Sequence, residues 1–129
     1  MIVDSSAVMA IVLGEAEQES FNRLIKRAER CQLSAGTWIE LAAVTARYPE
    51  HIGAAVNQIM AHYGIAIAPV TVDQAQIGSD AYRRYGPGSG HPANLNFGDC
   101  FAYALARESG EPLLFKGDDF THTDIVAAL

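Results

Sequence analysis

The residues in this chain best placed to do chemistry are carboxylates with no base among them. Asp4, Glu40, Asp99 and the pair Asp118–Asp119 each stand where a strand is predicted to hand over to a helix. In an open α/β sheet those strand ends gather along one edge, and sites form in the crevice there. Acids far apart in sequence can therefore meet in one pocket. Several carboxylates without a balancing base suit a hard divalent cation such as Mg²⁺ or Mn²⁺. Two carboxylates ~4 Å apart repel by ~4 kcal/mol at an effective dielectric of ~20, so a cation is what lets such a cluster be both charged and stable.

Each acid also has a plainer explanation. Asp4, before Ser5-Ser6, reads as the N-cap of the first helix. Glu40 lies three residues after Thr37, the spacing of a capping box, although its neighbours Trp38, Ile39, Leu41 and Ala42 make it costly to bury unpaired. Asp99 lies three residues after Asn96, another cap pairing, and the helix dipole favours an acid in that first turn. Asp118 and Asp119 follow Gly117 as a turn would. Caps require no convergence, whereas a metal site requires all of these acids at one edge of one sheet.

The elements that must position them follow from the pattern of apolar residues. Strands are predicted at 1–4, 31–34, 65–68 and 112–115. Helices are predicted at 5–13, 15–30, 37–47, 50–63, from a cap at Asp73 to Tyr85, and at 97–109. A loop dense in Gly and Pro spans Gly86 to Pro92. Short, continuously apolar strands alternating with helices imply right-handed crossovers. The expected fold is a single domain over 1–129, a three-layer α/β/α sandwich with a mostly parallel four- to five-stranded central sheet.

Composition sets the outer limits. The chain has 129 residues, 50% hydrophobic and 19% charged, which suits one folded domain with a sizeable core. The start at Met1 lacks the basic region of a signal peptide, and no apolar run reaches the ~20 residues of a membrane span. Cys31 and Cys100 are far apart and are expected to be buried free thiols in a reducing cytoplasm. The net charge of −6 argues against nonspecific coating of nucleic acid, whose binders usually carry a basic surface. Arg83, Arg84, His91 and Lys116 are the cations that could meet a phosphate. His51 and His62 read as helix-surface residues and Trp38 as core. Signatures of phosphate loops, dinucleotide sites, nucleophile elbows and zinc sites are missing.

Four stretches together carry a resemblance to a known family: Met1-Ile2-Val3-Asp4-Ser5-Ser6-Ala7-Val8, Trp38-Ile39-Glu40, Leu95-Asn96-Phe97-Gly98-Asp99-Cys100-Phe101-Ala102-Tyr103-Ala104, and Leu113-Leu114-Phe115-Lys116-Gly117-Asp118-Asp119-Phe120. In this order they resemble the PIN-domain ribonucleases, and most closely the VapC-type toxins of bacterial toxin–antitoxin pairs. The resemblance implies an endoribonuclease that depends on Mg²⁺ or Mn²⁺. It implies Asp4, Glu40 and Asp99 as core ligands, with Asp118 favoured over Asp119 for a fourth. Ser6 and Asn96, and Asp119 if Asp118 is the ligand, match supporting polar positions. It further implies an RNA substrate, a homodimer, and a cognate VapB-like antitoxin whose tail enters the acidic cleft. Two other readings stay open on the residues alone. One is a phosphotransfer enzyme in which Asp4 attacks phosphorus. The other is an inactive binding scaffold whose acids are only caps.

Overall fold

A computed structural model describes all of residues 1–129. The chain runs β1 (Ile2–Val3), α1 (Ser5–Val12), α2 (Gln18–Arg27), β2 (Gln32–Ser34), α3 (Ala35–Thr45), α4 (Glu50–Tyr63), β3 (Ala66–Ala68), α5 (Val72–Tyr85), α6 (Asp99–Ser109) and β4 (Leu113–Leu114). The four strands pair in the order β3-β2-β1-β4, and every pairing is parallel. An isolated bridge between Leu113 and Ala127 extends the β4 edge.

Alternation along the strands divides the core between the two faces of the sheet. Val3, Leu33 and Leu114 point to one side, where they join Val8, Ile11, Phe21, Ile25, Leu41, Val56 and Met60 from α1 to α4. Ile2 and Leu113 point to the other, with Ala81, Tyr85, Leu95, Ala102, Tyr103 and Leu105 from α5, α6 and the loop before it. Helices thus cover both faces, as a parallel sheet demands, and the expected three-layer sandwich holds with four strands. Cys31 and Cys100 are buried free thiols.

The chain builds outward from β1 to β2 and β3, then returns to place β4 on the other side of β1. The order reverses between β1 and β4, so their carboxyl ends flank the crevice where ligands bind in open α/β sheets. Asp4 follows β1, and residues 115–119 follow β4.

Several predicted boundaries move. α3 starts at Ala35 because Ser34 caps it, its side chain accepting from the Gly36 N–H at 3.2 Å. Thr37 lies inside the helix with a buried, unpartnered hydroxyl, so the capping box between Thr37 and Glu40 does not form. α5 is capped by Thr71, which accepts from the Gln74 N–H at 3.1 Å, and Asp73 sits in the first turn. α2 is shorter than predicted at both ends. Trp38 is half-buried at the rim of the core, and His51 and His62 are exposed.

α3 and α6 cross closely because each offers the other a glycine notch. A methyl group at Gly36 would lie 2.2 Å from the Phe101 ring. Gly36→Ala is therefore expected to destabilise the fold by ~1–3 kcal/mol through overpacking. Urea melts measure this, and the loss should shrink in a Phe101→Leu background.

Candidate functional site

The first acid is built by the turn out of β1. Asp4 is 2% exposed and caps α1: its Oδ2 accepts from the Ser6 N–H at 3.0 Å and from the Ser6 hydroxyl at 2.6 Å. Its other oxygen, Oδ1, is buried with no partner. Capping and ligand duty are therefore compatible, one oxygen serving each. Ser6 also accepts from the Lys116 N–H at 3.0 Å, so one hydroxyl fixes Asp4 and ties it to the segment after β4.

Freed of Thr37, Glu40 turns toward α1. Its Oε1 accepts from the Ser5 hydroxyl at 3.1 Å, and its Oε2 is buried without a partner. The carboxylate fits there because residue 98 is glycine: a methyl group at Gly98 would lie 2.4 Å from Glu40 Oε2. Gly98 has φ −63° and ψ −39°, so its backbone does not require glycine, but the space does.

Asp99 opens α6 and is 5% exposed. It forms a reciprocal pair with Asn96: Asp99 Oδ2 accepts from the Asn96 N–H, and Asn96 Oδ1 accepts from the Asp99 N–H, both at 2.9 Å. This is the cap arrangement read from the sequence, and it again leaves one carboxylate oxygen uncommitted.

The last two acids differ in their reach. Both are exposed in the turn after β4, but the charge of Asp119 is the one that acts on Asp4 and on Asp99. Asp118 exerts no such effect on either. Lys116, beside them, is committed elsewhere, to Glu15 at 2.5 Å and Glu17 at 3.3 Å.

The electrostatics are those of like charges sharing a poorly hydrated crevice. Burial pushes the Asp4 carboxyl up, against the lowering effect of its hydrogen bonds from Ser6. Burial and then the Asp4 charge raise Glu40. Asp99 is pushed up to about 7, first by burial and then by Asp4, Asp119 and Glu40. Asp99 therefore feels all three of its neighbours, Glu40 feels Asp4, and Asp4 feels Asp119. They are not gathered at ligand distance, however: no three His, Cys, Asp or Glu side chains form a ready-made set for an ion.

The donor set suits a hard divalent ion in chemistry. It is all carboxylate oxygen, two of those oxygens are buried orphans, and no base balances them. The cations considered for phosphate contact are engaged away from the acids. Arg83 pairs with Asp80, Arg84 lies over the Tyr85 ring at 4.9 Å, and His91 packs edge-on against Tyr85 at 4.7 Å. Sequence reasoning missed Gly36 and Gly98, whose signal was only that each lies next to an element carrying an acid. The contact of Ser5 with Glu40 was likewise not anticipated.

Comparison with known proteins gives the family and agrees with the fold. The family model described as PIN domain matches residues 1–126. Ribonuclease VapC42 of Mycobacterium tuberculosis (strain H37Rv) is 50% identical over 127 residues, covering 97% of this chain and 96% of that protein. Ribonuclease VapC28 of the same strain is 42% identical over 131 residues, covering 100% of this chain and 98% of that one. Among solved structures, that of Mycobacterium tuberculosis VapC20, described as a sarcin-ricin loop cleaving toxin, superposes with a TM-score of 0.74 at 19% identity. It covers 97% of this chain and 95% of that one, a likeness of fold.

Two outcomes test the site as built. Asp99 in the unfolded chain ionises near the ordinary carboxylate value, ~3.9, whereas in the fold it holds its proton up to about 7. The folded state thus binds more protons through that window, and stability falls as pH rises from ~4 to ~7. In EDTA the melting temperature should drop over that range, and Asp99→Asn should flatten the drop. Gly98→Ala should cost the metal-free protein little, since the group it displaces is the end of a flexible side chain and alanine at a compatible φ restricts the unfolded chain. The rise in melting temperature on adding Mn²⁺ should shrink all the same, because Glu40 is displaced.

Proposed function

The chain belongs to the PIN-domain family, and from that membership we propose that it is a divalent-metal-dependent endoribonuclease of the VapC type, the toxin of a toxin–antitoxin pair. Relatives named as VapC ribonucleases and aligned along nearly the whole chain support the RNA-cleaving toxin. One observation above all supports the metal: buried carboxylate oxygens on Asp4 and Glu40, drawn from different elements, have no partner.

In this reading Asp4, Glu40, Asp99 and Asp119 hold Mg²⁺ or Mn²⁺. A bound divalent ion supplies Lewis acidity toward a phosphate oxygen and makes a coordinated water acidic enough to attack near neutral pH. The chain's own residues set the stage. Ser6 and Ser5 donate their hydroxyls to Asp4 and Glu40, which orients those carboxylates. Asn96 fixes the rotamer of Asp99. Water is then the attacking group.

The same crevice suits a cationic partner. Acids with spare oxygens accept charge-assisted hydrogen bonds from an arginine, which supports a VapB-like antitoxin as the inhibitor. A homodimer belongs to the same proposal, supported by exposed apolar side chains such as Ile67, Val72 and Val126. No helix is long and apolar enough to cross a membrane. An RNA substrate and two free thiols support action in the cytoplasm.

The test is cleavage of structured RNA by the purified chain with Mg²⁺, Mn²⁺ or EDTA. Cleavage should require the ion. Ser6→Ala should lower activity by roughly 10–100-fold, the usual cost of losing an outer-shell partner. Asp4→Asn and Asp99→Asn should each cost more than that. Activity that persists through both chelation and these substitutions overturns the metal mechanism.

A further inference from the structure

Beside the acids lies a cavity of about 500 Å³, lined by Gly36, Ile39, Glu40, Asn96, Phe97 and Phe101 among others. Two of its exposed walls are large and apolar: Phe97 is 72% and Ile39 70% exposed. Phe97 is braced edge-to-face on Phe101, with centroids 5.2 Å apart at 80°. Phe101 is in turn seated in the notch at Gly36. We propose that this cavity is a stacking subsite for one nucleobase of the RNA substrate, with Phe97 as its platform; the proposal rests on the ribonuclease reading above.

Three observations select that occupant. The first is continuity with the acids. Ile39 precedes Glu40 and Phe97 lies two residues before Asp99, so a phosphodiester held at those acids places a flanking nucleoside at these walls.

The second is charge. The chain carries −6 overall, and the only ionisable group lining the cavity is Glu40. A phosphate would be repelled there, whereas a base is flat and neutral. With few basic contacts to the backbone, RNA affinity must come from elsewhere, and stacking on aromatic side chains supplies it whatever the charge.

The third is a single oriented donor. Asn96 Oδ1 is held by the Asp99 N–H, which leaves Nδ2 with no partner in the chain, free to donate to an acceptor on a base edge. A larger cavity on the α5 side, about 710 Å³, also touches Phe97 and Phe101, but none of the four acids lines it.

The experiment uses short single-stranded RNA with Mg²⁺, carrying an abasic nucleotide at each position flanking the cut in turn. Stacking is worth roughly a 5- to 150-fold change per base. Phe97→Ala should raise KM by about that factor with kcat nearly unchanged, and Phe97→Trp should preserve KM. In the unsubstituted chain one abasic position should carry a similar penalty, and that penalty should vanish in Phe97→Ala. The Mn²⁺-induced rise in melting temperature should be equal in all three proteins, which separates loss of the platform from loss of the fold or of the ion site. Phe97→Ala with normal KM overturns the proposal, and so does an abasic penalty that survives the substitution. Loss of binding to a partner protein with RNA kinetics intact also overturns it and assigns the surface to that partner. If the unsubstituted chain cuts no RNA under any metal condition, the ribonuclease reading itself fails.

Discussion

The structure depends on keeping acidic groups together where water is scarce and no base offsets them. Desolvation alone pushes carboxylates toward their neutral form, and neighbouring negative charge pushes further. The chain answers with neutral donors only: hydroxyls from Ser5 and Ser6 and backbone N–H groups of Ser6 and Asn96. These stabilise one oxygen of each acid without cancelling its charge. A salt bridge from lysine would have quieted the crevice, yet Lys116, the nearest cation in sequence to the last acids, is drawn off to Glu15 and Glu17. What results is a pocket with residual demand for positive charge, and that demand underlies affinity for an ion or for a cationic peptide alike.

Packing supplies the second half of the arrangement. Glu40 and Asp99 come from different helices, and side chains on two crossing helices normally hold their backbones 8–10 Å apart. Here the contact is reciprocal. α3 contributes Gly36 to receive Phe101, and the start of α6 contributes Gly98 to receive Glu40. One notch is filled by an apolar ring that locks the crossing. The other is filled by a carboxylate, so the packing that fixes the helices also aims the acid.

Much of this was legible in the sequence, and its limits have physical causes. Alternating apolar strands and amphipathic helices gave the parallel sandwich, and α4 runs from Glu50 to Tyr63 as predicted, between Pro49 and the left-handed Gly64. Asp4 and Asp99 were readable because local capping geometry holds both. Glu40 was harder. Ser34 and Thr37 are both good caps three residues apart; the helix starts after the first, and Glu40 meets Ser5 instead of Thr37. Asp118 and Asp119 are adjacent identical residues in an exposed turn, and residue type cannot distinguish them. The glycines were opaque for a related reason: each looks like local punctuation, but its role lies in what another helix puts against it.

The hydroxyl of Ser6 joins the beginning of the chain to a backbone group 110 positions later. β1, which delivers Asp4, is likewise hydrogen-bonded to β4 along its edge. The crevice beside Asp4 is therefore closed by the most distant parts of the chain. The two ends of the sequence are thus structural neighbours, and each is held in place by the other.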